Sequence, residues 1–179
     1  MKKEGSTRDF TDHLNPVFIE TGSYAGWGIE AAVTAGFEKI HSIEVNDYFY
    51  QICRKKFANQ KNVNLYCGDS ILILPQLLQE IDERCTFWLD AHYMSDPNTA
   101  GGIMPVPLME ELKIIKQHKI KDNTIIIDDI RLLRNHEAEW VDLPYGVSDV
   151  EVFIYSINPD YKITYAFGEA EDDILIAEI

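Results

Sequence analysis

Residues 18–28 read FIETGSYAGWG: Phe18 and Ile19 end an apolar run, Glu20 closes it, and Gly22, Gly26 and Gly28 precede a helix-like segment. A strand, a glycine turn and a helix in that order bring backbone close to a nucleotide-like ligand. Two phosphate-binding patterns fail on spacing. Counting from Gly22, a dinucleotide turn needs glycine where Tyr24 and Trp27 stand. No Lys-Ser or Lys-Thr follows to complete a phosphate loop either. What remains is an acidic residue, a tight turn and a close backbone approach, which suit a ligand carrying an ammonium group and a ribose.

Outward from this turn, short apolar runs alternate with helix-period segments, the pattern of a parallel sheet with crossover helices. Strands are expected at 17–20, 39–45, 63–67, 86–89, 124–127, 162–167 and 174–179. A helix over 26–35 carries Ile29, Ala32 and Val33 on one face and ends at Gly36. The next, capped by Asn46, has Phe49, Ile52, Cys53 and Phe57 at helical spacing. A third lies within 71–81 and is predicted to start near Pro75, since proline suits a first turn. Leu108, Leu112 and Ile115 mark a fourth, and Ser148 with Glu151 has capping-box spacing for a helix to about 157. Polar loops are expected over 92–107 and 131–145. The last two strands are joined only by GEAEDD and must run antiparallel. The expected fold is α/β: a Rossmann-like three-layer sandwich with a seven-stranded, mostly parallel sheet and a reversed last strand.

A chain of 179 residues, 46% apolar, holds one domain with a real core. That domain is expected over 16–179, with 1–15 as a mobile segment or lid. Thirty acidic residues against sixteen basic give a net charge of −14, which argues against nucleic acid and anionic lipid as partners. The Arg54-Lys55-Lys56 triplet reads as a solvated helix face. Cys53, Cys67 and Cys85 show no CxxC spacing and read as buried thiols in a reducing compartment. With no apolar stretch long enough to span a bilayer, a soluble cytoplasmic protein is expected. Oligomeric state is left open, a homodimer included.

With these elements in place, ETGSYAGWG resembles the first motif of the class I S-adenosylmethionine-dependent methyltransferases, and the resemblance runs from residue 17 to 179. It implies that Glu20 and Gly22, with Ser23, Tyr24 and Gly26 of the same turn, hold the methionine end of the cofactor. Glu44 in HSIEVN would take both ribose hydroxyls, since an ionised carboxylate accepts two hydrogen bonds at once. Asp69 and Ser70 in CGDS would meet the adenine. Tyr24 stands where many members have glycine, and its ring face suits a sulfonium cation. Taken singly, Glu44 is equally a surface carboxylate, Asp69 a helix cap and Tyr24 a packing residue. Three acidic sites at the ends of three successive strands favour the cofactor.

Two further clusters fall at the same end of the sheet. FWLDAHY places Asp90 and His92 after the fourth strand, and TIIIDDIR places Asp128 and Asp129 after the fifth. Converging carboxylates raise one another's pKa unless a cation settles them, and magnesium bound by Asp90, Asp128 and Asp129 is one solution. The pattern is similar to the metal-dependent small-molecule O-methyltransferases, including the catechol and macrolide-sugar groups, and implies a metal that activates a substrate hydroxyl. The alternative is a metal-free site in which Asp90 orients the cofactor, Asp128 or Asp129 caps the next segment, and His92 is the base. Asp90 and His92 are thus the catalytic candidates. Another reading is a non-catalytic S-adenosylmethionine-binding module, against which four ionisable groups held together argue. Trp88 reads as core, and His13, His41, His118 and His136 show no ligand spacing. Arg131 and Arg134 pair either with a substrate carboxylate or with acidic neighbours. Gly101 and Gly102 offer a hinge, and the expected acceptor is a small molecule.

Overall fold

The computed structural model of the protein describes residues 8–92, 101–135 and 143–179. Parts of both predicted loops, His136 and residues 1–7 of the predicted N-terminal lid lie outside the described residues. Seven strands form one sheet in the order β3-β2-β1-β4-β5-β7-β6. They are β1 (Val17–Thr21), β2 (Lys39–Glu44), β3 (Val63–Cys67), β4 (Cys85–Leu89), β5 (Thr124–Ile127), β6 (Lys162–Ala166) and β7 (Ile174–Glu178). β1 to β5 run parallel, and β7 lies antiparallel between β5 and β6. The expected seven-stranded architecture and the reversal of the last strand are both present.

The three layers follow from strand alternation. Val17 and Ile19 of β1 point into a core shared with α3 (Ser70–Glu80), α4 (Leu108–Gln117) and α6 (Val147–Ile157). Phe18, from the same strand, points to the opposite core, with α1 (Trp27–Ala35) and α2 (Asp47–Lys56). Every residue of β1, β4 and β5 is buried. That explains why these strands read as unbroken apolar runs: both faces are covered.

Four features depart from the sequence reading. α3 begins at Ser70, with Pro75 inside it, because Asp69 caps the helix from Ile71 N (3.0 Å) and Leu74, Leu77 and Leu78 are buried on both sides of the proline. α6 begins after Gly146, whose N–H donates to Asp149 Oδ2 (2.8 Å); Glu151 instead accepts from the Tyr165 hydroxyl (2.7 Å). A short helix, α5 (Ile130–Asn135), enters the predicted 131–145 loop. Cys67 is exposed, at the end of an edge strand, while Cys53 and Cys85 are buried. Trp88 is core and residues 54–56 are exposed, as expected.

Residues 8–16 run along β4 on the α1 side of the sheet. Phe10 is 2% exposed and packs against Phe18 (5.0 Å) at a tilt and against Trp88 (5.1 Å) edge to face. Asn15 Nδ2 donates to Cys85 O (3.2 Å), Thr86 Oγ1 (3.0 Å) and Thr124 Oγ1 (3.1 Å). Asn123 Oδ1 accepts from Cys85 N (2.8 Å). Among the described residues no helix is long and apolar enough to cross a membrane.

Candidate active site

Strand order reverses between β1 and β4, since the chain builds β2 and β3 outward on one side and β5 on the other. Ligands of open parallel sheets lie beyond the carboxyl ends of the strands at such a point. Gly22 sits there with φ +84°, and a Cβ on it would lie 2.5 Å from the Asp90 carbonyl oxygen. The glycine therefore lets the turn after β1 press on the turn after β4. Gly26 serves packing, its Cα facing the Phe57 ring of the α2 side, where a Cβ would come within 2.7 Å. At Gly28 a side chain would overlap the Glu20 carboxylate, so that glycine lets α1 lie directly over the acid.

Glu20 is 1% exposed, beneath the turn rather than on its surface. Ser42 donates to its Oε2, and Ser23 shares a hydrogen bond with Ser42. Burial pushes Glu20 up to about 8, against the pull of Ser42 and Arg8 and with a small push from Glu44. Glu44, at the end of β2, accepts from Tyr24 N (2.8 Å) and Asn46 N (2.7 Å), so it fixes the turn it faces. Burial raises its pKa while these backbone amides lower it. Tyr24 has φ +44°, and its ring packs on Phe49 (4.3 Å) and Trp27 (5.5 Å). Glu20, Ser23, Tyr24 and Glu44 thus form one connected group.

Asp69 and Ser70 form a second group, across the crevice. Besides capping α3, Asp69 accepts from Ile103 N (2.5 Å), and the Gly102 backbone lies so close that a Cβ there would strike its carboxylate. Asp69→Ala is expected to lose the cap, about 1 kcal/mol, and to lower the melting temperature by roughly 2–4 °C in a chain of this size. An unchanged melting curve would show that the cap contributes nothing. Ser70 faces Glu111 of α4, a residue the sequence reading passed over. Glu111 is 1% exposed and pushed up to about 7 by burial, with the Ser70 and Thr21 hydroxyls opposing the rise. Its signal was in the spacing: Glu111 lies in the same stripe as Leu108, Leu112 and Ile115. With Asp90, His92 and Asp128 it lines a cavity having room for about one water molecule.

The acidic clusters after β4 and β5 meet at the crevice. His92 lies between two carboxylates, with Nε2 3.1 Å from Asp129 Oδ2 and Nδ1 3.7 Å from Asp90 Oδ1. Ligand atoms of Asp90, His92 and Asp129 all fall within 4.8 Å of one another, as do those of Asp128, Asp129 and Asp173. Burial, then the facing Asp128, raises Asp90 well above the usual carboxylate range. Burial and Asp129 push Asp128 up to about 6. Two guanidiniums sit among them. Arg8 Nη2 reaches Asp90 Oδ2 (2.9 Å) and Asp128 Oδ2 (3.3 Å). Arg131 binds Asp129, Asp173 (2.6 Å) and Glu169 (3.0 Å). Arg131 thus pairs with acidic neighbours, and Arg134 donates to Asp172 O (2.8 Å).

Magnesium asks for oxygen donors that are open to it. The donor types at Asp90, Asp128 and Asp129 suit it, but each of the three carboxylates is held by an arginine. With Arg8 seated, the arrangement does not fit the metal. Arg8 and Asp173 were both missed in the sequence, where 1–15 was expected to be mobile; the signal that could have found Arg8 is Phe10, a lone large apolar residue in a polar run, which is buried in the core.

No family model and no curated protein matches the chain. Solved structures do. The O-methyltransferase TomG from Streptomyces achromogenes, involved in tomaymycin synthesis and solved with S-adenosylmethionine, superposes with a TM-score of 0.65 at 16% identity, over 95% of this chain and 75% of that one. An O-methyltransferase from Bacillus cereus, solved with S-adenosylhomocysteine, gives 0.67 at 15% identity, over 95% and 76%. The fold is that of the class I methyltransferases. Spermidine synthase from Thermotoga maritima also matches, at 0.61 and 13% identity, over 93% of this chain and 55% of that one. A class I methyltransferase fold therefore leaves the chemistry to the site.

Proposed function

We propose that the protein transfers a methyl group from S-adenosylmethionine to a hydroxyl oxygen of a small molecule. One juxtaposition carries the reading: on this fold, the Gly22 turn and Glu44 border the same switch-point crevice as the Asp90–His92–Asp129 group. Glu44 holds the Tyr24 and Asn46 amides at the end of β2, and an ionised carboxylate in that place suits ribose hydroxyls. Asp69 and Ser70 border the adenine end, Asp90 the methionine end, and Glu20 supplies a buried acid below the turn. Ser23, Gly22, Gly26 and Tyr24 shape the backbone over it.

In the transfer, the acceptor oxygen attacks the methyl carbon in line with the departing sulfur, and S-adenosylhomocysteine leaves. His92 takes the hydroxyl proton, and the resulting imidazolium lies between Asp129 and Asp90, which stabilise the new charge. A metal-assisted route would need Arg8 displaced from Asp90 and Asp128. The acceptor is expected to be small, and neither nucleic acid nor an anionic membrane, since the chain carries a formal net charge of −14 that repels both.

Calorimetry with S-adenosylmethionine tests the reading, followed by an acceptor screen that detects the demethylated product. Saturable binding that Glu44→Gln weakens about tenfold, or ~1.4 kcal/mol, is the expected result. Binding of a nicotinamide dinucleotide and not of S-adenosylmethionine would end the proposal.

A further inference from the structure

The carboxylates that suit a divalent cation already hold a positive charge supplied by the chain itself. One terminal nitrogen, Arg8 Nη2, bonds Asp90 at 2.9 Å and Asp128 at 3.3 Å, which is the bridging position a shared cation takes. These partners lie 82 and 120 residues away along the chain. The guanidinium also stands over the Trp88 ring at 5.2 Å. Two residues on, Phe10 is locked between Phe18 and Trp88, so the backbone that delivers Arg8 is itself part of the core.

We infer that Arg8 is the resident cation of this pocket, a positioning residue that holds Asp90 and Asp128 apart and charge-compensated in place of a divalent metal. The physical case rests on what each cation requires. A guanidinium stays charged at any physiological pH and presents planar donors that match carboxylates. Half-buried carboxylates left without a counter-ion are costly, and one fixed cation between two of them removes much of that cost. A divalent ion would have to displace Arg8 and break its stacking on Trp88. The second arginine, Arg131, does the same for Asp129 and Asp173, so every carboxylate of the two convergent groups faces a guanidinium or His92.

The inference concerns the pocket assigned above to methyl transfer, but its test uses neither cofactor nor acceptor. The full-length protein is titrated with Mn²⁺ alone, free metal being read by electron paramagnetic resonance. Arg8→Ala is expected to bind at least about tenfold more tightly than the parent protein, and the Arg8→Ala, Asp90→Asn double variant is expected to lose that gain. Equal affinity of parent and variant, whether measurable or absent in both, overturns the inference. So does a gain that survives Asp90→Asn, because the new site then lies elsewhere. Should circular dichroism show Arg8→Ala unfolded, Arg8→Gln, which keeps most of the stem over Trp88, is read by the same criteria. A failed S-adenosylmethionine titration would count against the proposed function and leave this result standing.

Discussion

His92→Asn is expected to lower turnover by roughly 10²–10⁴-fold, the usual contribution of a positioned general base. Asparagine keeps a polar group between Asp90 and Asp129 but takes no proton at neutral pH. Affinity for S-adenosylmethionine should stay within about tenfold, because the proposed role of His92 is toward the acceptor and not the cofactor. Comparing kcat with a calorimetric Kd separates the two effects. Turnover within twofold of the parent would remove His92 from the mechanism.

Glu20→Gln is expected to stabilise the fold, and to do so more as pH rises. Glu20 is pushed up to about 8 by burial, from an ordinary value of 4.5 in the unfolded chain. Between those two values the folded protein holds a proton that the unfolded chain has released. Stability from this group is therefore full below 4.5 and falls as pH rises through the folded value. Each unit of separation corresponds to about 1.4 kcal/mol, so the complete loss is of the order of 4–5 kcal/mol. Glutamine resembles the protonated acid and has no proton to lose. The difference in unfolding free energy between variant and parent should be small near pH 5 and grow to several kcal/mol by pH 9, as read from urea denaturation at each pH. A difference that is flat with pH would mean that Glu20 is ionised in the fold throughout. Stabilisation purchased in this way should come with weaker cofactor binding, as happens when a functional acid is removed.

The sheet was readable because its physics is local. β1, β4 and β5 are buried on both faces and so appear as short apolar runs, and the hairpin of β6 and β7 follows from a connection too short to cross over. The turn at 20–28 was readable because glycines occur where backbone meets backbone, as at Gly22 against Asp90. Helix starts were less legible: α3 tolerates Pro75 because tertiary burial outweighs one missing hydrogen bond, and α6 takes its cap from Gly146 and Asp149. What the sequence could not disclose was charge pairing over distance. Arg8 and its partners are far apart in the chain, and no periodicity links them. Nor does any motif point to Asp173, which reaches Arg131 from the strand hairpin. Glu111 was legible in principle, being a charge in an apolar stripe.

The strands covered on both faces have a further consequence for how the chain finds its pairing. Where one face is wet, a slip of one residue exposes the wrong side chains and is rejected on that ground. Here both faces are greasy, and hydrophobicity alone hardly distinguishes one alignment from the next. The discrimination falls to a few polar contacts: Glu20 with Ser42 ties β1 to β2, while Asn15 and Asn123 clasp the entrances of β4 and β5. A shifted alignment would leave a carboxylate or an amide stranded in oil, a penalty of a few kcal/mol each. These residues act as proofreaders of assembly, quite apart from anything the finished molecule binds.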